Sequence, residues 1–130
     1  MRRRRRSAPT TTGDRAMIRH ATEGDISSLH ALIREFAHYE QLDHQATGTQ
    51  ADLCEHLFGR RRFAEALIAE ADGAAIGFAF FFHNFSIFFT KSGTYLEDLF
   101  VRGEQSREGI GRDILAAIAK LAVERGCGRF

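Results

Sequence analysis

Cysteine and long uncharged apolar runs are both scarce in this sequence, and each shortage removes a class of protein. Two cysteines, Cys54 and Cys127, occur in 130 residues. They form neither a disulfide framework nor a metal-ligand spacing, so they read as lone buried thiols in a reducing cytoplasm. The apolar run 78–82 is far too short to span a membrane and suits a strand covered on both faces. No Ser-His-Asp ordering for nucleophilic catalysis is present. His38 and His44 stand six residues apart, beyond one helical face, which rejects them as metal ligands, and no metal site is expected. No internal repeat or second domain is visible.

Charge is unevenly spread. The formal net charge is +1, but six of the 18 basic residues and one of the 17 acidic ones fall in residues 1–15, leaving the rest near −4. A mildly acidic domain suits a cationic substrate better than nucleic acid. The arginine run 2–6 is followed by Ser, Pro, Thr and Gly with no apolar segment, so it does not read as a secretory signal. Residues 1–16 are expected to be a disordered, arginine-rich extension, with Met17 as the natural start of the domain 17–130. A nucleic-acid-binding arm is the competing reading of that run. The second basic cluster, 60–62, reads as a solvated loop.

Apolar periodicity and turn residues divide the domain. Residues 17–20 form a short strand. Thr22 and Asp25 have the spacing of a capping box and open a helix with Ile26, Leu29, Ile33 and Phe36 on one face. Thr49 and Asp52 open a shorter helix through Leu53 and Leu57 that Gly59 stops. Strands follow at 63–70 and 75–82, joined by a tight turn at Asp72 and Gly73. Residues 83–86 read as a loop, and 91–93 as a turn into the strand 95–101. A helix from Gly109 carries Ile110, Ile114, Ile118 and Leu121 on one stripe and stops at Gly126 to Gly128.

The stretch 94–121 organises the rest. It is a strand with two central carboxylates, Glu97 and Asp98, then a polar loop ending in Gly109-Ile110-Gly111, then a helix. A strand, a glycine-bearing loop and a helix N-terminus make an anion site, because free N–H groups and the helix dipole both favour negative charge. A Walker loop would need Lys and Ser or Thr after Gly111, where Arg112 and Asp113 stand. A dinucleotide fingerprint would need a third glycine where Ile114 stands. Strand alternation puts Tyr95, Glu97, Leu99 and Val101 on one face and Leu96, Asp98 and Phe100 on the other, unless a bulge intervenes.

With Gly109 and Gly111 in place after the Tyr95-Leu96-Glu97-Asp98 strand, the stretch resembles the central motif of the GNAT superfamily of N-acetyltransferases, in its diamine and polyamine (spermidine/spermine-type) branch. Ser106 stands where that motif has Gln or Arg. The resemblance implies an α/β fold with a mixed sheet, the acyl-CoA N-acyltransferase fold, of which residues 17–130 correspond to the N-terminal portion. The strand that splays from 95–101, the helix after it and the closing hairpin would lie beyond Phe130.

The resemblance also implies acetyl-CoA as cofactor, held by Leu99, Phe100 and Val101 on the strand and by Arg107, Glu108, Gly109, Ile110, Gly111 and Arg112 at the loop and helix start. Main-chain N–H groups of Leu99 and Val101 would polarise the thioester carbonyl. Glu97 would act as catalytic base, and Tyr39, Glu40, Glu97 and Asp98 would contact the amine. The family's leaving-group acid is a tyrosine past the missing strand, and neither Tyr39 nor Tyr95 corresponds to it. The implied function is acetyl transfer to a primary amine of a small substrate such as a polyamine or diamine, in a cytoplasmic homodimer with no nucleic-acid or membrane partner. The alternative is a truncated, non-catalytic module that binds cofactor or a partner chain.

Overall fold

A computed structural model describes residues 16–103 and 107–130, with the side chains of 107 and 108 outside that description. The arginine run 2–6 and Ser106 thus lie outside the described residues. The elements in order are β1 (Met17–His20), α1 (Ile26–Tyr39), α2 (Gln50–Phe58), β2 (Glu65–Ala71), β3 (Ala74–Ser86), β4 (Lys91–Val101) and α3 (Arg107–Glu124). The strands form one sheet in the order β1-β2-β3-β4, each neighbour antiparallel.

Helices cover both faces of this sheet, which explains why its central strands are apolar at consecutive positions rather than alternately. On one face Leu29 and Leu32 of α1 and Leu57 of α2 pack on Ile68 and Phe78. On the other, Ile110, Ile114 and Ile118 of α3 pack on Leu67, Ala69, Ala79, Phe81 and Val101. Ala16, the first described residue, is partly buried against this second core. The α3 stripe is the one its 3.6-residue periodicity implies. In α1 the fully buried residues are Ile26, Leu29 and Leu32, while Ile33 and Phe36 are partly buried, so the stripe is rotated slightly from the expected one.

Local signals act where they stand. The Thr22 N–H donates to Asp25 Oδ2 at 2.7 Å, closing a 3₁₀ turn, Glu23–Asp25, from which α1 starts. Arg19 grips the same carboxylate at 2.8 and 2.9 Å and reaches Glu70 at 2.8 Å, tying β1 and β2 to the start of α1. The hydrogen bonds from Arg19 hold Asp25 well below the usual carboxylate range. The Asp52 N–H donates to Thr49 Oγ1 at 3.1 Å, capping α2. Asp72 and Gly73 take φ of 53° and 78°, the paired positive values of a type I′ hairpin.

Several boundaries differ from the sequence reading. Residues 83–86 are not a loop and 91–93 are not a turn: β3 runs on to Ser86 and β4 begins at Lys91, through pairs from His83↔Thr94 to Ser86↔Lys91. Cross-strand bonding satisfies the backbone there and overrides weak strand propensity. Helix α3 begins at Arg107, so Gly109 and Gly111 lie inside its first turns rather than ahead of it. Past α3 the chain returns to the start of β4. Gly93 and Arg129 form a parallel bridge, the Thr94 N–H donates to Arg129 O at 3.1 Å, and the Gly128 N–H donates to Ser92 O at 2.8 Å.

Candidate active site

β4 is the last strand of the sheet, and after Thr94 its outer edge carries no partner strand among the described residues. Which groups face that edge follows from one bond. The Arg102 N–H donates inward to Ile76 O at 2.7 Å. In an antiparallel ladder successive residues point alternately toward and away from the partner, so Leu99 and Val101, paired with Ala79 and Gly77, turn their N–H groups outward. Two donors two residues apart therefore stand along an open edge.

The bulge that the strict alternation left open is present. Phe80 pairs with Asp98 and Phe81 with Leu96, so Glu97 is the extra residue of a β-bulge. The bulge resets the faces. Leu96 joins Leu99 and Val101 against the α3 core, while Phe100 packs in the α1 core. Tyr95 stacks on Phe82 at 5.0 Å, and its pairing places it on the same side as Asp98. The expected grouping of Tyr95 with Leu99 and Val101 is thus broken at Glu97, because an inserted residue shifts every side chain before it to the other face. Glu97 is exposed and Asp98 half-buried. Burial, and secondarily the charge of Glu97, pushes the Asp98 carboxyl above the ordinary aspartate range.

The last turns of α1 cover this end of β4. Phe36 and Tyr39 lie 5.4 and 6.4 Å from the Phe100 ring, and Tyr39 with Arg34, Glu35 and Arg102 lines a cleft of about 670 Å³. Tyr39 is therefore brought to the strand. Glu40 is the exposed residue that ends α1, and its carboxylate shares no hydrogen bond or ion pair with the other candidates among the described residues. Arg102 and Glu35 escaped the sequence reading: Arg102 Nε donates to Glu35 Oε1 at 2.9 Å and its Nη2 to Oε2. Nothing local marks a pair 67 residues apart.

At the start of α3 the two glycines do different work. A Cβ on Gly111 would make an ordinary van der Waals contact, 3.6 Å from Leu99 Cδ2, so this residue lies where α3 faces β4. A Cβ on Gly109 would meet nothing within 4 Å, leaving the backbone open on its outer side. Ile110 is fully buried, so it offers a ligand only main-chain groups, and Arg112 is exposed. The leading N–H groups of α3 have no acceptor within the helix and suit an anion.

A second cleft, of about 700 Å³, lies at the start of β2 and is lined by His20, Arg62, Glu65, His83 and Arg125 among others. His83, read from sequence as a loop residue without a partner, sits on β3 and has several. Its Nε2 lies 2.8 Å from Arg125 Nη1 and its Nδ1 3.3 Å from Gly93 O, which fits an imidazole protonated at Nδ1. Arg125 binds Glu65 at 2.6 and 2.9 Å and lowers its pKa, so this carboxylate is already committed. Size alone would favour this cleft, but its lining takes in no residue of β4, whereas Phe100 and Val101 of β4 line the other. Among the described residues no group of three or more His, Cys, Asp or Glu is placed to hold a metal, and no helix is long and apolar enough to cross a membrane.

Comparison with known proteins agrees with this geometry. The family model described as "Acetyltransferase (GNAT) family" matches residues 27–130. The chain is 34% identical to the thialysine N-epsilon-acetyltransferase of Sus scrofa over 122 residues, which covers 88% of this chain and 71% of that protein. It is 31% identical to the spermidine/spermine N(1)-acetyltransferase-like protein 1 of Homo sapiens over 124 residues, 90% of this chain and 18% of that one. The crystal structure of the ribosomal-protein-alanine N-acetyltransferase from Brucella melitensis biovar Abortus 2308 superposes with a TM-score of 0.69 over 87% of this chain and 76% of that one, at 24% identity, and so shares the fold. Edge strand, bulge, glycine-bearing helix start and family match converge: the chain belongs to the GNAT family of acetyltransferases.

Proposed function

We propose that the chain transfers the acetyl group of acetyl-CoA to a primary amine of a small cationic substrate, a diamine or polyamine. The observation that carries this reading is the alignment along one open edge of two outward N–H donors, Leu99 and Val101, between the Glu97 bulge and the N-terminus of α3. The names of the relatives, a thialysine acetyltransferase and a spermidine/spermine acetyltransferase-like protein, support an acceptor with more than one amino group.

The residues fit the cofactor. The open backbone face at Gly109 and the free N–H groups of the first α3 turn suit a pyrophosphate, with the Arg112 side chain exposed beside them. When bound, acetyl-CoA supplies the acyl group as a thioester. Leu99 and Val101 would donate to its carbonyl oxygen, where negative charge develops, and such donors are worth about 3–4 kcal/mol of barrier in related chemistry. Glu97 would take the proton of the incoming ammonium, which frees the nitrogen lone pair to attack. In such a transfer nitrogen would bond to the acyl carbon as the carbon–sulfur bond breaks, and the departing thiolate would take up the proton that the attacking nitrogen sheds. Asp98 and Tyr39 would hold the amine, with Glu40 toward a second nitrogen. The raised pKa of Asp98 favours a second assignment, in which Asp98 is the base and Glu97 the anchor.

Titration of acetyl-CoA in a calorimeter tests the cofactor half of the proposal. Gly109→Val places two methyl groups in space that is open in the fold, so stability is expected to hold while affinity falls at least about tenfold by blocking approach to the helix start. Unchanged affinity in that variant contradicts the assignment. The working form is proposed to be a homodimer in the cytoplasm.

A further inference from the structure

We infer that the acceptor is a diamine that also carries a carboxylate, a basic α-amino acid, and that Arg34 in the cleft beside β4 binds that carboxylate. The inference rests on the acetyl-transfer reading above and narrows its acceptor class.

The cleft of about 670 Å³ shares backbone with the open edge. Phe100 and Val101 line it, and Val101 is one of the two residues whose N–H groups face that edge. Asp98 stands two residues before Phe100 on the same face of the sheet, about 7 Å along the strand. An acceptor whose reacting nitrogen lies at the bulge carboxylates thus has its other end within reach of the cleft.

Charge in the cleft is one-sided. Its lining includes Arg34, Glu35, His38 and Arg102. The Arg102 guanidinium occupies both oxygens of Glu35, Nε on Oε1 at 2.9 Å and Nη2 on Oε2, so these two charges cancel. His38 Nδ1 lies 2.9 Å from Asp43 Oδ2, and that hydrogen bond is the chief reason the Asp43 carboxyl titrates low. The charge of Arg34 is the least of the causes acting on Asp43. Arg34 itself is exposed and makes no hydrogen bond or ion pair among the described residues. One guanidinium is therefore left over.

The two ends of the site thus differ in sign, with Glu97 and Asp98 at the bulge and Arg34 in the cleft. A guanidinium with free donors takes a carboxylate through two parallel hydrogen bonds and repels an ammonium. A simple diamine brings like charge to Arg34. A basic amino acid brings its carboxylate there and its side-chain nitrogen to Glu97, leaving the α-ammonium for Glu40, assigned above to a second nitrogen.

Ornithine and putrescine differ only by the carboxylate and so test this directly, with acetyl-CoA, in wild type, Arg34→Gln and Arg34→Lys. Wild type is expected to favour ornithine at least about tenfold in kcat/KM and to acetylate its side-chain nitrogen. Arg34→Gln is expected to lower the ornithine value about tenfold through KM, with kcat little changed because Arg34 touches no reacting atom. The putrescine value should rise roughly threefold as a repelling charge is removed. Arg34→Lys, which keeps the charge without the planar fork, should recover part of the preference. Thermal midpoints are expected to match throughout, since Arg34 is exposed. Wild type that uses putrescine as well as ornithine, acetylation at the α-nitrogen, or a ratio unmoved by Arg34→Gln overturns the inference and leaves acetyl transfer standing. Wild type that acetylates neither amine overturns the reading beneath it and this inference with it.

Discussion

Asp98 is the residue whose energetics depart most informatively from the ordinary. Its pKa is raised because burial penalises the charge and Glu97 adds a like charge beside it. A carboxyl with a raised folded-state pKa favours folding below its unfolded pKa, about 3.9, and that contribution is lost as pH rises through the folded value. At neutral pH the ionised Asp98 is therefore a liability to the fold, of the kind active sites retain. Asp98→Asn is predicted to raise the thermal midpoint at pH 7 and to leave it unchanged near pH 3. Equal midpoints at both pH values would show that the carboxylate is not under strain. Sequence alone placed Glu97 and Asp98 at the centre of a strand, and no feature of either residue announces the bulge. It is decided by which residues of β3 stand opposite, Phe80 and Phe81, and pairing of that kind is not local information.

Among the elements, α3 was the most legible, because its stripe of Ile110, Ile114 and Ile118 follows helical periodicity and all three are fully buried. Removing the middle of that stripe leaves a cavity between α3 and the sheet. Ile114→Ala is predicted to cost about 2–4 kcal/mol in urea unfolding with an unchanged slope. A loss below about 1 kcal/mol would mean that α3 is not firmly docked, and with it the cofactor site. The turn at Asp72 and Gly73 and the cap at Thr49 were legible for a similar reason, since each is a backbone need met by a residue type within a few positions. The β3–β4 hairpin was not. His83, Asn84, Ser86, Lys91, Ser92 and Gly93 are loop-like residues one by one, and only their mutual pairing makes them strand.

For the whole molecule, the β3–β4 hairpin tip is the outlying feature. Ile87, Phe88 and Phe89 are 78%, 90% and 70% exposed, a contiguous apolar patch of a kind that marks interaction sites. With the proposed homodimer, the expected outcome in sedimentation velocity is a concentration-dependent dimer that Phe88→Asp shifts toward monomer. A wild type that remains monomeric across the concentration range removes the dimer from the account. The overall topology was legible because seven elements follow one another with clear punctuation; the clasp of Arg102 on Glu35 was not, because only the folded chain brings those residues together.

Amine-dependent acetyl transfer at the edge of β4 is read out by the rate of thiol release from acetyl-CoA with spermidine or thialysine, across pH, in wild type and Glu97→Gln. Thiol release is expected to require the amine and to yield the N-acetylated product. In Glu97→Gln the rate is expected to fall about 10²- to 10⁴-fold near neutral pH, with its rise displaced to higher pH where the free amine forms unaided. Thiol release that does not depend on amine, or a Glu97→Gln profile superimposable on that of wild type, would contradict the proposed transfer.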